Sequence, residues 1–255
     1  MVDQSCVTTD LEKAARIMAS ANRIAALTGA GVSAESGVPT FRGAGGLWKN
    51  FRAEEVATPE AFAHDPKLVW EFYNDRRNRL TTVRPNPAHL ALAELETLAD
   101  QFVLITQNVD GLHRAAGSRR VLEIHGNIWT VRCTKCGRQW DKTGEPLDEL
   151  PKCEECAGLL RPGVVWFGES LPPELWQQAE HAVQECDCLL VVGTSAQVHP
   201  AAGLAWIARN AGAQIIEVNL EPTPASEITT IGLYGKAGEV LPKLVARREE
   251  LRVDH

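Results

Sequence analysis

Five short apolar runs, separated by stretches with helical patterning, organise the hydrophobic pattern of this chain. The runs cover residues 23–27, 102–105, 121–124, 188–192 and 214–218. Each run is short enough and apolar enough for a buried parallel strand. Helix starts lie between them, at Thr58-Pro59, Asp65-Pro66 and Asn86-Pro87. In each, an N-cap residue precedes a proline at the first helical position.

Strands that alternate with helices predict an α/β fold, with a doubly wound parallel sheet of the Rossmann-like kind. Polar residues collect just past the carboxyl ends of the five runs, in residues 29–42, 106–110, 125, 193–195 and 219–221. Ligands of such sheets bind outside the carboxyl edge. We therefore expect these five segments to meet at one crevice.

The turn after the first run carries a glycine pattern. Gly29, Gly31 and Ala34 fit the G-x-G-x-x-G/A dinucleotide fingerprint, in which backbone amides at a helix start bind a pyrophosphate. A tight strand-to-helix turn needs the same small residues, so the fingerprint alone leaves both interpretations open. The glycine-rich loop that follows carries Phe41 and Arg42, which is typical of a segment that folds over a ligand.

Two cysteine pairs interrupt the strand and helix pattern. Cys133-x-x-Cys136 and Cys153-x-x-Cys156 have the spacing of a zinc ribbon. Four thiolates complete a tetrahedron and leave no position for water, so one structural zinc is predicted, with redox pairs or inert thiols as the alternative. We predict a Rossmann-like domain from residues 1–42, 86–125 and 162–255. Residues 43–85 and 126–161 are predicted to form a small helical and zinc-binding module.

Two segments at strand ends carry candidate chemistry. Residues 106–110 include Gln107, Asn108 and Asp110, which can bind an amide and orient a ribose or water. A capped strand-to-helix turn is the alternative; it would explain Asn108 and Asp110, but Gln107 less readily. His125, beside a glycine, is the titratable side chain best placed at the predicted crevice. A structural role is the alternative for any single histidine. The remaining candidates, His89, His113, His181 and His199, are interpreted as surface, turn or core residues.

Composition narrows the classes of partner. The chain has 255 residues, a formal net charge of -7 and no basic block, which argues against nucleic acid or an anionic membrane as partner. Residues 1–10 lack the pattern of a secretory signal. No apolar run is long enough to span a bilayer. The paired cysteines are typical of metal binding in a reducing compartment. We expect a cytoplasmic protein.

The motifs G-A-G-x-S-x-x-S-G-x-P-x-F-R, T-Q-N-x-D, H-G, two C-x-x-C pairs, G-T-S and N-x-E follow one another along the chain. Over residues 24–244 this combination resembles the sirtuins, which are NAD-dependent protein-lysine deacylases. The resemblance implies that NAD binds in a crevice between a Rossmann-like domain and a small zinc-containing module.

The resemblance also implies roles for individual residues. The acyl oxygen of a modified lysine attacks C1′ of the nicotinamide ribose and displaces nicotinamide. His125 then acts as general base on the ribose hydroxyls, with Asn108 and Asp110 orienting ribose and water, to give lysine and 2′-O-acyl-ADP-ribose. The implied NAD-binding residues are Gly29, Ala30, Gly31, Glu35, Thr40, Phe41, Arg42, Trp48, Gln107, Asn108, Asp110, Gly193, Thr194, Ser195, Asn219, Leu220, Glu221 and Ala237.

One segment matches the part of the family that binds the substrate peptide as an added strand. It contains Val164, Val165, Trp166, Phe167, Gly168 and Glu169. The resemblance implies that an acyl-lysine protein segment pairs with its backbone. A core strand that joins the zinc module to the sheet is the alternative, with Trp166 and Phe167 in the core.

Tyr73 and Arg76 lie three positions apart, so they share one helix face. A half-buried tyrosine beside a solvated arginine is the plain interpretation. In a sirtuin, however, Y-x-x-R resembles the desuccinylase and demalonylase class, and the small Ala57 leaves room for a longer acyl chain. A guanidinium and a phenol can hold a carboxylate by charge-assisted hydrogen bonds. The resemblance therefore predicts a preference for succinyl- and malonyl-lysine, with some deacetylation.

Three other functions remain open on the sequence alone. A dehydrogenase would share NAD but would not need the zinc ribbon or residues 106–110. A mono-ADP-ribosyltransferase would transfer the ADP-ribose group of NAD to protein. A non-catalytic NAD-binding or zinc module would keep its function without His125.

Overall fold

The computed structural model describes residues 4–40 and 52–253. Its strands are β1 Arg23–Thr28, β2 Gln101–Thr106, β3 Val121–Glu123, β4 Gly126–Cys133, β5 Gln139–Asp141, β6 Leu160–Val164, β7 Cys188–Val192, β8 Gln214–Asn219 and β9 Ile231–Tyr234. Its helices are α1 Gln4–Ser20, α2 Gly31–Ala34, α3 Ala53–Val56, α4 Pro59–His64, α5 Pro66–Leu80, α6 Pro87–Leu98, α7 Leu112–Ala115, α8 Pro173–Glu185, α9 Gly203–Asn210 and α10 Ala237–Val253, with a 3-10 turn at Pro224–Glu227.

Six strands form one parallel sheet in the order β3-β2-β1-β7-β8-β9. Counted along the chain, this order is 3-2-1-4-5-6, which is the Rossmann arrangement. Strands β2 and β3 are added on one side of β1 and strands β7 to β9 on the other, so the strand order reverses between β1 and β7. A crevice opens at the carboxyl ends of these two strands. The predicted fold class is confirmed, and all five expected strands are present. The sixth, β9, has a glycine and an exposed Tyr234, so its apolar signal is weak.

Helices cover both faces of this sheet. On one face α1, α6 and α10 bury Met18, Leu92 and Leu244 against strand residues such as Leu104. On the other face α8 and α9 pack on the alternate strand positions. The strands are buried on both faces, which is why their sequences are continuous apolar runs.

The predicted helix starts are present at three positions. The side chains of Thr58, Asp65 and Asn86 each accept a hydrogen bond from a backbone amide of the helix that follows. Since Pro has no amide proton, its place at the first helical position leaves no extra donor unsatisfied.

A second sheet has three antiparallel strands in the order β5-β4-β6. It packs with α3, α4 and α5 around a third apolar cluster that includes Phe62, Trp70, Ile128 and Leu160. Trp166, which follows β6, also packs into this cluster. The domain boundaries expected from the sequence stay a prediction. No helix in the described part of the chain is long and apolar enough to cross a membrane.

Candidate active site

A cavity of about 620 Å³ follows the carboxyl ends of the central strands and is closed on its other side by β6 and α5. It brings together most residues that the sequence predicts for cofactor and substrate. On the cofactor side these are Gly29, Ala30, Gly31, Thr40, Gln107, Asn108, His125, Gly193, Thr194, Ser195, Asn219, Leu220 and Glu221. On the substrate side they are Ala57, Tyr73, Arg76, Val164, Val165, Trp166, Phe167, Gly168 and Glu169.

Some predicted site residues lie elsewhere. Asp110 is buried and does not line the cavity. Glu35 is exposed and accepts a hydrogen bond from the Gly238 amide at 2.9 Å, and Ala237 packs in the first apolar cluster. Phe41, Arg42 and Trp48 lie outside the described residues.

The glycine turn is shaped by a close approach between two strand ends. The Gly31 amide donates to the Gly193 carbonyl at 2.7 Å. A Cβ on Gly31 would lie 2.7 Å from that same oxygen, and one on Gly29 would lie 2.8 Å from Thr194 Cα. Both glycines are therefore required by packing of the chain against itself. Helix α2, which follows, has only four residues.

Ser33 is the centre of a buried hydrogen-bond network below the cavity. The Asn108 side chain donates to the Gly29 carbonyl and to Ser33 Oγ, both at 3.1 Å. Ser33 Oγ in turn donates to Asp110 Oδ2 at 2.8 Å. Both amide protons of Asn108 are used, which leaves its Oδ1 as an acceptor. Burial raises the pKa of Asp110, against the opposing effect of hydrogen bonds from the Leu112 amide and Ser33.

Two histidines that the sequence left as surface, turn or core residues belong to this network and are core residues. His89 Nδ1 accepts from the Asn86 amide at 3.3 Å, so its Nε2–H donates to Ser33 Oγ. His113 Nε2 lies 2.9 Å from Thr28 Oγ1, and the two imidazole rings are 4.8 Å apart. Burial lowers the pKa of His89 to about 4 and that of His113 to about 3. Both rings are therefore neutral at pH 7.

His125 lies at the junction of the two sides of the cavity. Its Nδ1 is 3.0 Å from the Gln107 carbonyl, an acceptor, so Nδ1 carries the proton and Nε2 is left with a lone pair. Burial lowers the pKa of His125, although the Gln107 carbonyl acts in the opposite direction. A neutral imidazole with an available Nε2 is the form that a general base needs.

At the far end of the cavity, Tyr73 and Arg76 project from α5. Tyr73 is 2% exposed, and burial raises its pKa to about 12. Burial also lowers the pKa of Arg76, while the nearby Tyr73 and Asp110 act to raise it. The plain interpretation, a half-buried tyrosine beside a solvated arginine, is wrong for Tyr73, which is buried, while Arg76 is half-buried.

The segment after β6 joins the two sides. The Val165 amide donates to the His125 carbonyl at 2.9 Å, and the Phe167 amide donates to the Ala57 carbonyl at 3.0 Å. Trp166 between them is buried, whereas the Phe167 side chain is half exposed. The alternative that placed both aromatic residues in the core therefore holds for Trp166 alone.

The four cysteines of the two C-x-x-C pairs form one cluster. All four Sγ atoms lie within 4.8 Å of one another; Cys133 and Cys156 are 3.4 Å apart, and Cys136 and Cys153 are 3.8 Å apart. Zinc bonded to four sulfurs at about 2.3 Å requires separations of about 3.8 Å. The Cys136 and Lys135 amides point at Cys133 Sγ and lower its pKa to about 6. The cluster fits one structural zinc.

Comparison with known proteins gives consistent matches over most of the chain. The Sir2 family model matches residues 29–200. NAD-dependent protein deacylase 2 of Pyrobaculum aerophilum is 53% identical over 234 residues, which cover 91% of this chain and 93% of the relative. The NAD-dependent protein deacylase of Pyrococcus furiosus is 52% identical over 248 residues, covering 95% and 98%.

Solved structures agree in fold. A Sir2 homologue variant in complex with ADP-ribose is 48% identical with a TM-score of 0.90, covering 94% of this chain and 97% of the other. A Sir2 homologue in complex with NAD is 46% identical with a TM-score of 0.87, covering 99% and 96%. A Sir2 protein bound to a myristoylated histone peptide is 39% identical with a TM-score of 0.78, covering 97% and 100%. With the sheet order and the cysteine cluster, these matches identify the chain as a member of the Sir2 family.

Proposed function

We propose that this protein removes acyl groups from lysine side chains of proteins in an NAD-dependent reaction. The observation that carries the proposal is His125, a half-buried neutral imidazole that lines the cavity and whose Nδ1–H is directed at the Gln107 carbonyl, which leaves a lone pair on Nε2. Relatives named NAD-dependent protein deacylases, and Sir2 structures holding NAD, ADP-ribose or an acylated peptide, support the same activity here.

The cofactor side of the cavity fits a dinucleotide. Residues 29–31 and 193–195, three of which are glycines, line it, and Asn108 Oδ1 is left to accept a hydrogen bond from a ribose or water. NAD, when bound, supplies the ribose carbon from which nicotinamide leaves and the hydroxyls that receive the acyl group. His125 removes a proton from a ribose hydroxyl at Nε2, and the Gln107 carbonyl stabilises the resulting imidazolium through Nδ1.

We propose further that negatively charged acyl groups, succinyl and malonyl, are preferred over acetyl. The support is that Arg76 and Tyr73, both on α5, line the cavity together with the small Ala57. Hydrogen bonds to a charged group contribute about 1.5–3 kcal/mol. About 2 kcal/mol in the transition state corresponds to roughly thirtyfold selectivity.

The test is mass spectrometry of one peptide carrying acetyl-, succinyl- or malonyl-lysine, incubated with enzyme with and without NAD. We expect NAD-dependent loss of the succinyl and malonyl groups, with release of nicotinamide and O-acyl-ADP-ribose. Transfer of ADP-ribose to protein instead would identify a mono-ADP-ribosyltransferase. No NAD-dependent deacylation of any peptide would overturn the proposal.

Arg76→Met tests the acyl preference separately. We expect the ratio of kcat/KM for succinyl over acetyl peptide to fall about thirtyfold, because the guanidinium that pairs with the carboxylate is gone. Arg79→Met is a matched control, since Arg79 lies on the same helix but is exposed and pairs with Asp75. An unchanged ranking of acyl groups in Arg76→Met would refute the preference, and better removal of a myristoyl group by wild type would favour a long apolar acyl chain.

A further inference from the structure

Trp166 and Tyr73 share a hydrogen bond inside the substrate side of the cavity. The indole Nε1 of Trp166 donates to the hydroxyl oxygen of Tyr73 at 2.9 Å, and the two side chains are 3% and 2% exposed. Both residues line the cavity. Among residues 4–40 and 52–253, no hydrogen bond is found in which the Tyr73 hydroxyl is the donor.

This hydrogen bond determines where the phenol proton can point. A hydroxyl has one proton to donate, and an indole N–H cannot accept it. Because burial raises the pKa of Tyr73 to about 12, the hydroxyl keeps its proton at neutral pH. The proton therefore points away from Trp166. A buried donor without an acceptor is unfavourable, and the carboxylate of a ligand would be a strong, charge-assisted acceptor for it.

Trp166 is itself held in one position. The guanidinium carbon of Arg161 lies 3.5 Å from the centre of the indole ring, and Phe62 packs 5.2 Å from it, centroid to centroid. Glu169 accepts the Trp166 backbone amide at 2.8 Å and two nitrogens of Arg161 at 2.6 and 2.8 Å. These contacts leave the indole N–H directed at Tyr73.

The same contacts remove an obstacle to an anionic substrate. Glu169 also lines the cavity, and an uncompensated carboxylate there would repel a succinyl group. The bidentate pair with Arg161, which is itself 6% exposed, balances that charge. Arg76 lines the same cavity and adds a positive charge to it.

We propose that Trp166 is a specificity-determining positioning residue, which acts by holding the Tyr73 hydroxyl as a donor toward the carboxylate of a succinyl- or malonyl-lysine. This role rests on the acyl preference proposed above. It is separate from any pairing of residues 163–169 with the substrate backbone, since a backbone contact is the same for every acyl group.

The test is Trp166→Phe, which keeps an aromatic ring and removes the N–H. We expect the ratio of kcat/KM for succinyl over acetyl peptide to fall about five- to tenfold, as for loss of one oriented hydrogen bond. The fall should appear in KM for the succinyl peptide, because the carboxylate is remote from the reacting atoms. An effect of the substitution on binding of the peptide backbone is the same for both peptides, so it cancels in the ratio of kcat/KM for succinyl over acetyl peptide.

Trp70→Phe is the matched control. Trp70 is equally buried in the same apolar cluster and donates its indole N–H at 2.9 Å, but to the Leu160 carbonyl. Its replacement should leave the ratio of succinyl to acetyl activity unchanged. An equal fall in both variants would mean that loss of packing, rather than the bond to Tyr73, lowers the ratio, and would overturn the proposal.

A second arm uses Tyr73→Phe. If Trp166 acts through the Tyr73 hydroxyl, adding Trp166→Phe to Tyr73→Phe should cause no further fall in the ratio. Independent, multiplying effects of the two substitutions would overturn the proposal. Should Trp166→Phe not fold, semisynthesis with β-(3-benzothienyl)alanine at position 166 keeps the shape of the indole and replaces its N–H with sulfur, with the same expected fall.

Arg76→Met, run in parallel, separates the two proposals. If wild type shows no succinyl preference, or Arg76→Met keeps it, the acyl assignment fails and the role of Trp166 fails with it. If the preference exists and depends on Arg76 but is unchanged in Trp166→Phe, only the role of Trp166 is overturned.

Discussion

The two sides of the cavity are held in place by different kinds of interaction. The sheet side, residues 29–31, 107–108 and 193–195, stands on six parallel strands with an apolar cluster on each face. The acyl side, formed by Ala57, Tyr73, Arg76 and Trp166, stands on a three-stranded sheet whose apolar cluster includes Cys133 and Cys153. We therefore expect the sheet side to be maintained mainly by hydrophobic burial, and the acyl side to depend in addition on zinc binding.

The polar groups on the two sides differ in charge as well. Below the sheet side, Ser33 is hydrogen-bonded to the neutral His89, to Asn108 and to Asp110, and the ring of the neutral His113 packs against that of His89. The acyl side contains cations and an ion pair instead. Low pH should therefore weaken the sheet side, and loss of metal should weaken the acyl side.

Metal removal is expected to have the largest effect. Structural zinc contributes about 10–16 kcal/mol to small zinc-finger domains, so a strong chelator, or Cys136→Ser, should unfold the segment around β4 and β5. In hydrogen exchange, amides of these strands should lose protection before those of β1 and β7. Bound zinc is measured alongside by elemental analysis. Equal loss of protection in both sheets would contradict the difference between the two sides.

Replacement of His125 tests the junction of the two sides. Loss of a general base typically lowers the rate by about 10²–10⁴, and His125→Ala should lower deacylation of acetyl and succinyl peptides by the same factor. His181→Ala, which changes an exposed histidine, is the control. Because the pKa of His125 is lowered by burial, wild-type kcat/KM should fall only below the pH at which a free imidazole becomes protonated. Full activity in His125→Ala would favour a different base.

Acid should destabilise the sheet side by a smaller amount. The pKa values of His89 and His113 are lowered to about 4 and about 3, so below pH 6.5 the unfolded chain binds protons that the folded chain does not. Their stabilising contribution is complete above pH 6.5 and declines as the pH falls. Together, the two histidines should lower the free energy of unfolding by about 3 kcal/mol between pH 7.5 and pH 5.5. Urea unfolding at several pH values measures this loss.

A variant isolates the contribution of one ring. His89→Asn should remove about half of this pH dependence, whatever its effect on stability at pH 7.5, because one of the two depressed titrations is gone. His181→Asn, at an exposed site, should keep it. A pH dependence that is identical in His89→Asn and wild type would show that these histidines are not the cause.

Several features of the fold could be predicted because local sequence specifies them. The buried strands are continuous apolar runs, and Asp65 and Asn86 cap helices whose first residue is proline. The cysteine spacing alone indicated a four-sulfur cluster. These signals are local: period, capping and ligand spacing are properties of neighbouring residues.

Other features depend on residues that are distant in sequence. Gly31 is needed because Gly193 approaches it, and Ser33 connects to His89 and Asp110 from two other elements. The positions of His89 and His113 in the sequence carry no sign of the burial that keeps both rings neutral. Ser33 and His89 are residue types that often hydrogen-bond to each other, but nothing in their spacing along the chain shows that they are in contact.

The sequence by itself determined the parallel sheet, the metal ligands and which strand ends carry polar residues, since each follows from local periodicity or spacing. Only the tertiary structure decided that Trp166 donates to Tyr73 across 93 positions of the chain and that the half-buried Arg76 lines the same cavity. A hydrogen bond of 2.9 Å requires two elements to pack at one separation and angle. That geometry is a property of the packed core, in which every side chain is constrained by neighbours from distant parts of the chain.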